Sequence, residues 1–214
     1  MLTPKRTIMK KIYFVLIALL SVMTAAAQQE FAKHLTEART AYASGKLDDS
    51  RFAMQQALQE LDILTGKEVL KLLPAKMINE NARMERDNVS GASGFLGVLI
   101  HREYGVDVKK LPADSFYSKT VSLEIISNSP LIGTINALLS LPFIGNNADQ
   151  KIIKVNGYKA LVQKVSGNDE KPEFELQLPL NNSLVTLKAP GHTQDELIKM
   201  ANTIPVAEIA RIIQ

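Results

Sequence analysis

The histidines are the first residues to consider for chemistry, because imidazole serves both as a metal ligand and as a general base. The chain has three, His34, His101 and His192, and none stands at the H-x3-H or H-E-x-x-H spacing of a metal site. Residues 90–94 lack the G-x-S-x-G spacing of a nucleophile elbow. No Cys is present to act as a nucleophile, a thiolate ligand or a disulfide partner. The sequence therefore predicts no catalytic residue, metal or cofactor, and we expect a non-enzymatic protein.

Arg102, Tyr104 and Glu124 form the first candidate binding site. On a strand, alternation places Arg102 and Tyr104 on one face and their neighbours His101 and Glu103 on the other. An arginine beside a tyrosine can bind an anion, or it can stack on the ring and pair with a carboxylate such as Glu124. The pattern favours the structural pairing with Glu124 over anion binding.

An uncharged run over residues 131–144 is the second candidate. As a helix it would present an apolar stripe to a lipid, to another apolar ligand or to a partner protein. Buried packing on a sheet is the alternative, and it is favoured because an interfacial helix usually carries Lys or Arg on its polar face. The residues that would line an apolar site are Leu131, Ile135, Leu138 and Phe143.

The first 27 residues have the pattern of a cleavable signal peptide. Four basic residues precede an apolar stretch over residues 12–23, and Ala25, Ala26 and Ala27 provide a cleavage site before Gln28. About a dozen apolar residues fall short of the roughly 20 that span a bilayer as a helix. Translation could start at Met1 or Met9. We therefore expect a bacterial periplasmic or secreted protein with no stable membrane span after cleavage.

Removing that segment changes the charge of the chain. The 214 residues carry 25 Lys and Arg against 22 Asp and Glu, which gives +3. Four of the basic residues and none of the acidic ones lie in residues 1–27, so the remainder has 21 against 22, or −1. The sequence therefore predicts no nucleic-acid partner. A hydrophobic content of 46% is enough for one domain or a small pair with a real core.

Residues 28–74 have helical periodicity and predict a helical hairpin. Gly45 separates two apolar stripes, and the pattern predicts that Gly66 ends the second helix and that residues 69–73 form a short third one before Pro74. The first stripe is Phe31, Leu35, Ala38 and Tyr42, and the second is Leu47, Met54, Ala57, Leu58, Leu61 and Leu64.

The hairpin resembles a single tetratricopeptide-type helical pair. The resemblance lies in Ala41-Tyr42, Gly45, Ala53 and Ala57-Leu58, with a small residue wherever the two helices must approach. Such repeats normally recur about every 34 residues and stack at least three times, and no second copy follows. The pattern therefore favours one hairpin docked on the next segment over a peptide-binding solenoid.

Residues 75–214 change to strand periodicity and predict an antiparallel sheet covered by helices. Asn156-Gly157 between two β-rich runs indicates a type I′ hairpin, and closely linked strands must pair antiparallel. Ser129-Pro130 predicts the start of a helix running to about Leu141. Thr193 and Glu196 form a capping box, and Pro205 begins a final helix. The fold class is therefore α+β, with an N-terminal helical hairpin.

The chain over residues 68–214 is similar to an uncharacterised family of exported bacterial proteins. The motifs that carry this likeness are Leu72-Leu73-Pro74, Arg102-x-Tyr104, Ser127-Asn128-Ser129-Pro130, Asn156-Gly157-Tyr158-x-Ala160, Ser183-Leu184-Val185-Thr186-Leu187 and Ile204-Pro205-Val206-x-x-Ile209-Ala210. In that family a Gly-Trp or similar pair usually follows the Leu-Pro element, whereas Lys76 to Asn79 stand there in this chain, which has no Trp. The order of elements also resembles the PsbP-like fold. The resemblance implies a domain of unknown function and supplies no catalytic residues.

Two functions remain open at this point. The first is an exported, non-enzymatic protein that binds an envelope protein through the hairpin or the exposed sheet face. The second is a carrier of a lipid or other apolar ligand along residues 131–144. A hydrolase is a third hypothesis that no motif supports.

Overall fold

The structure is a computed structural model that describes residues 29–91, 97–105, 120–127, 132–140, 146–147, 150–166 and 173–213. The expected signal peptide, the Ser129-Pro130 helix start and the candidate residues Leu131 and Phe143 lie outside these ranges. The chain divides into two compact units, one up to Leu64 and one from Thr65 onward. Each unit is described by itself below.

The first unit contains the predicted helical pair. Helix α1 is described over residues 29–43, and helix α2 covers Leu47–Leu72 and passes into the second unit. Gly45 makes the turn between them with a φ of +73°, a conformation that costs glycine little because it has no Cβ. The helices approach through small residues, since Ala38, Ala53 and Ala57 are buried and the Ser50 hydroxyl donates to the Ala38 carbonyl at 2.9 Å.

Gly66 does not end the second helix, and residues 69–73 do not form a third. Helix α2 is continuous for 26 residues, so the expected break at Gly66 is wrong. Gly66 lies where α2 approaches the sheet, and a Cβ there would come within 2.7 Å of Val89 Cγ1 and 3.2 Å of Ile100 Cγ1. The glycine therefore serves close packing rather than chain reversal. The helix ends at Leu72, shortly before Pro74, which cannot continue it.

The second unit is built on an eight-stranded antiparallel sheet, which confirms the α+β class. A separate two-stranded ribbon precedes it, formed by β1 (Lys76–Met77) and β2 (Glu80–Asn81). The strands of the large sheet are β3 (Asn88–Gly91), β4 (Val98–Tyr104), β5 (Val121–Ser127), β6 (Asn146–Asn147), β7 (Gln150–Val155), β8 (Tyr158–Ser166), β9 (Glu173–Leu180) and β10 (Ser183–Lys188). Their order in space is β3-β4-β5-β10-β9-β8-β7-β6.

The tight turns of the sheet follow the sequence signals. Asn156 and Gly157 connect β7 to β8 with φ values of +50° and +92°, as the type I′ turn requires. Asn181 also has a positive φ of +50° in the turn from β9 to β10. Asparagine tolerates this left-handed conformation better than other side chains, so both turns are explained by their residues.

The main core lies between one face of the sheet and helices from both ends of the unit. Helix α4 (Gln194–Ala201) and helix α5 (Val206–Ile212) contribute their apolar stripes, and the end of α2 contributes Val69. The predicted capping box is present, with the Thr193 N–H donating to Glu196 Oε2 at 2.8 Å and the Glu196 N–H donating to Thr193 Oγ1 at 3.3 Å. The buried sheet residues are Val98, Ile100, Tyr104, Val121, Leu123, Ile125, Val155, Ala160, Val162, Leu176, Leu178, Leu180, Val185 and Leu187.

The other face of the sheet carries helix α3 (Ile132–Leu139) and a polar row. The row runs across neighbouring strands and consists of His101, Glu124, Thr186 and Gln177. Ile132 and Leu139 are buried outside the main core, and α3 contacts β9. Leu161 and Leu184 are buried too, although alternation points them away from the main core. We therefore place α3 on this second face, against β9.

Candidate interaction surface

The predicted apolar stripes of the hairpin are mostly exposed rather than packed between the helices. Tyr42 is 67% exposed and Leu47 64%, and Leu35, Met54, Leu58 and Leu61 are all more than 40% exposed. Only the small members of the stripes, Ala38 and Ala57, are fully buried. Small residues bring the two backbones close together, so the long side chains at the edges of the stripes are left outside the contact.

The exposed residues of α2 form one continuous line along the helix. Leu47, Met54 and Leu61 are seven residues apart, and Leu58 lies four residues after Met54. Residues at these spacings share a helix face. Arg51, four residues after Leu47 and three before Met54, belongs to the same line and is exposed. Phe52 is exposed as well but points to a different side of α2.

Helix α1 repeats the pattern on its own surface. Leu35 and Tyr42 are seven residues apart, and Arg39 lies four after Leu35 and three before Tyr42. Viewed down either helix from its N-terminus, this line lies clockwise of the residues that contact the other helix. Because the hairpin helices run in opposite directions, those displacements bring both lines to the same side of the pair. We call this side the apolar face; it consists of Leu35, Arg39, Tyr42, Leu47, Arg51, Met54, Leu58 and Leu61.

The opposite side of the hairpin is polar and acidic. Glu37, Lys46 and Asp49 line a shallow open groove there together with two hydroxyl residues of α1 and Ser44 of the following turn. Thr36, Thr40 and Ser44 each donate to the carbonyl four residues earlier, at 2.8 to 2.9 Å. These hydroxyl protons are therefore already used within the helix. The two sides of the hairpin differ both in hydrophobicity and in the sign of their charges.

Arg102, a candidate for anion binding, is fully engaged inside the protein. Its side chain is on the core face of β4 and is only 5% exposed, and its Nε and Nη2 donate to the two carboxylate oxygens of Asp87 at 2.8 and 2.5 Å. Its Nη1 donates to the Leu73 carbonyl at 2.8 Å, just past the end of α2. The hydrogen bond and charge of Asp87 raise the pKa of Arg102 in spite of burial. This geometry fixes the helix end to the sheet.

The expected pairing of Arg102 with Glu124 is wrong, because the two side chains lie on opposite faces of the sheet. Glu124 stands directly across from His101, and Arg102 stands across from Leu123. His101 Nδ1 lies 3.5 Å from Glu124 Oε1, and His101 Nε2 lies 3.6 Å from Glu103 Oε1. The predicted alternation along β4 is confirmed, with Arg102 and Tyr104 buried on one face and His101 and Glu103 partly exposed on the other.

Tyr104 is completely buried, and its hydroxyl has no hydrogen-bond partner among the described residues. Burial raises its pKa to about 12, while the nearby charge of Arg102 opposes that shift. A phenol with this pKa stays neutral at physiological pH. Tyr104 is thus a core residue of the sheet rather than a ligand-binding group.

The second face of the sheet continues the polar row beyond His101 and Glu124. Thr186 and Gln177 follow across the neighbouring strands, and the Gln177 amide donates to Glu175 Oε1 at 2.6 Å. Within the described ranges, no group of three or more His, Asp or Glu residues could hold a metal ion. His101 and Gln177 thus have carboxylate partners on this face, and the use of the face by a partner protein stays a prediction.

The second candidate site is described only in part. Ile132 and Leu139 of α3 are buried, as the packed-helix alternative requires. Leu131 and Phe143 lie outside the described residues, as do the side chains of Ile135 and Leu138. The apolar-ligand hypothesis therefore stays a prediction.

Comparisons with protein families, curated proteins and solved structures give no match to this chain. The resemblances to an exported bacterial family, to the PsbP-like fold and to a tetratricopeptide pair therefore stay predictions. Within the described residues, no helix combines the length and the apolar character needed to cross a bilayer.

The predicted apolar stripes do not include Arg39 and Arg51, although both residues belong to the apolar face. The signal is nevertheless in the sequence, since Leu35-x3-Arg39-x2-Tyr42 and Leu47-x3-Arg51-x2-Met54 repeat one spacing on the two helices. Hydrophobic periodicity does not detect a charged residue within an apolar stripe. Alignment of the two helices position by position shows that both stripes contain an arginine at the same place.

Proposed function

We propose that this protein is an exported, non-enzymatic interaction module that binds a partner protein through the apolar face of its helical hairpin. The observation that supports this proposal is the exposure of the large apolar side chains on that face. The opening segment with its signal-peptide pattern supports export. The envelope is accordingly where we expect the partner to be found.

Exposed apolar residues in the described part of the chain are concentrated in the hairpin. Leu35, Tyr42, Leu47, Met54, Leu58 and Leu61 belong to one face, whereas the exposed large apolar residues of the second unit, such as Ile78, Met84 and Val165, are scattered. Single exposed apolar residues are normal on protein surfaces. A contiguous row rimmed by polar residues is typical of an interaction site.

Site-specific photo-crosslinking in the host cell tests this proposal. We expect p-benzoylphenylalanine in place of Leu58 to give a discrete adduct with one envelope protein, identified by mass spectrometry. The matched control places the same crosslinker at Thr36, which lies on the polar groove of the same hairpin. Because only the apolar face is proposed to bind, the Thr36 position should give no such adduct.

A second variant separates binding from folding. Tyr42→Glu puts a charge on the apolar face at an exposed position, so circular dichroism should show a folded protein while the Leu58 adduct disappears. Equal adducts from Leu58 and Thr36, or an adduct that survives Tyr42→Glu, would contradict the proposal.

A further inference from the structure

The apolar face also indicates what kind of partner fits it, and this inference rests on the proposed function. We infer that the occupant is an amphipathic helix of a partner protein that carries acidic residues beside its apolar stripe. Leu47, Met54 and Leu61 of α2 supply one wall of the site, and Leu35 and Tyr42 of α1 supply the other.

Seven-residue spacing on both walls favours a helix as the occupant. Leu47, Met54 and Leu61 recur as one position of a heptad does, and Leu35 and Tyr42 recur in the same way. Such spacing receives the knobs of a third helix lying along the two. The 14 steps from Leu47 to Leu61 extend over about 21 Å of helix axis, so a partner helix of three heptads, about 31 Å long, covers the wall with about one turn beyond each end.

Charge determines which helix fits. The apolar face contains two cations, Arg39 and Arg51, while on α2 the acidic residue Asp62 follows Leu58 by four residues at the far end of the face. Both side chains are exposed, and neither forms an ion pair within the described part of the chain. The acidic residues Glu37 and Asp49 lie on the opposite groove. A helix with Glu or Asp next to its apolar stripe complements this arrangement, whereas one with Lys is repelled.

The same charges disfavour a second copy of this chain as the occupant. A symmetric dimer brings like surface patches together, so the apolar face of one copy would meet the apolar face of the other. That contact brings four arginines together, against one carboxylate from each copy, Asp62, at the far end of the face. Like charges facing each other at an interface suppress an association.

Binding of designed peptides to the protein purified from the envelope fraction tests the inference. Two 21-residue helical peptides share the same three heptads with Leu at the a and d positions, and they differ in carrying either Glu or Lys at e and g. We expect isothermal titration to show the Glu peptide binding at least tenfold more tightly than the Lys peptide. Equal binding of both, or binding of neither, would overturn the inference.

Charge-reversal variants connect the preference to the two arginines. Arg39→Glu with Arg51→Glu should reverse the peptide preference, because the rim of the site then carries two carboxylates. The control is Arg86→Glu with Arg211→Glu, which makes the same change of net charge at two exposed arginines of the second unit and should leave the preference unchanged. A preference that follows net charge in both double variants would overturn the inference.

The same protein tests two other occupants of the apolar face, a second copy of this chain and a membrane. Sedimentation equilibrium should show a monomer, and flotation with phosphatidylglycerol vesicles should leave the protein unbound. A dimer that Arg39→Glu strengthens, or vesicle binding that Tyr42→Glu removes, would replace the helix with a second copy or a membrane. If the Leu58 crosslink depends on Tyr42 but the peptides are not distinguished, the proposed function stands and only this inference fails.

Discussion

Arg102 is an example of a buried charge whose three side-chain nitrogens all form hydrogen bonds within the protein. Its three nitrogens reach both oxygens of Asp87 and the carbonyl of Leu73, so the charge is paired and the fork-shaped guanidinium holds two elements together. Buried ion pairs of this type stabilise a fold weakly as a whole, but breaking one by removing a partner is costly. The prediction therefore concerns the removal of Asp87, which would leave the charge of Arg102 buried without its partner.

Asp87→Ala should lower the free energy of unfolding by about 3 kcal/mol, because it leaves Arg102 buried without its counter-ion. The measurement is urea denaturation followed by circular dichroism. Glu85→Ala is the matched control, since Glu85 is 69% exposed and contacts buried Arg83 at 3.4 Å, and it should cost under about 1 kcal/mol. Similar losses in the two variants would contradict the role assigned to Asp87.

Tyr104 makes stability fall at alkaline pH. Its pKa is raised from 10.0 to about 12 in the folded protein, so the folded state holds the phenol proton more tightly than the unfolded state does. The corresponding stability is fully present below pH 10 and is lost as the pH rises through about 12. Tyr104→Phe removes this dependence, and because the hydroxyl is unpartnered among the described residues it should leave stability at pH 7 unchanged or raise it by up to about 1 kcal/mol.

Urea midpoints measured between pH 8 and pH 11.5 test the alkaline prediction. The decline with pH should be shallower in Tyr104→Phe than in the original protein. Tyr42→Phe, at an exposed tyrosine, should leave the decline as it was. The assignment would be wrong if Tyr42→Phe flattened the curve and Tyr104→Phe did not.

Helix α2 is the element in which local sequence signals and tertiary packing disagree. Gly66 has the sequence appearance of a helix end, yet 26 residues continue through it because the sheet leaves no room for a side chain there. The glycine lowers helix propensity by about 1 kcal/mol relative to alanine. Packing against Val89, Val98 and Ile100 offsets this cost.

Gly66→Ala should therefore destabilise the protein by about 1 to 3 kcal/mol in spite of the better helix propensity, since the new Cβ overlaps Val89 Cγ1. In a Val89→Ala background the same change should cost less, because the overlapping methyl group is gone. Gly133→Ala in α3 is the matched control: no described heavy atom lies within 4 Å of its Cβ position, so it should stabilise by about 0.5 to 1 kcal/mol. Thermal unfolding of the four variants compares these effects.

Elements whose determinants are local could be predicted from the sequence, and the others could not. Asn156-Gly157 fixes its own turn, and the Thr193 and Glu196 side chains cap their own helix, so a short stretch of sequence is enough to predict each of them. The partner of Arg102 depends on which strands become neighbours and on which face each side chain points to, and Asp87 lies 15 residues away on the chain. The exposure of the apolar face likewise depends on which residues make the helix contact, which periodicity alone does not specify.

At the scale of the whole molecule, the two units differ in how completely they bury their apolar residues. The second unit has a core of more than twenty buried side chains between sheet and helices. The hairpin buries mainly alanines and leaves its long apolar side chains on one side. The proposed interaction module rests on this difference. The sheet unit packs its apolar side chains inside, and the hairpin exposes a row of them.

The proposed export makes a prediction about the mature chain. If the opening segment is cleaved at the expected site, intact-mass measurement of protein from the envelope fraction should give a polypeptide that begins at Gln28. Its net charge is then about −1 instead of +3, so its isoelectric point should fall below the 9.0 of the full sequence. A mass that retains residues 12–23 would contradict cleavage.

The strand order also has a consequence for how the chain folds. The sheet consists of two meanders, β3-β4-β5 and β6 through β10, and every pairing inside them joins strands that follow one another in sequence. Among the described strands, only the pairing of β5 with β10 joins the meanders, and it brings Ser127 next to Ser183. Because closing so long a loop costs entropy before any contact repays it, we expect each meander to form early and this seam to close last. Val185 in β10 should accordingly give a lower φ-value than Ile153 in β7.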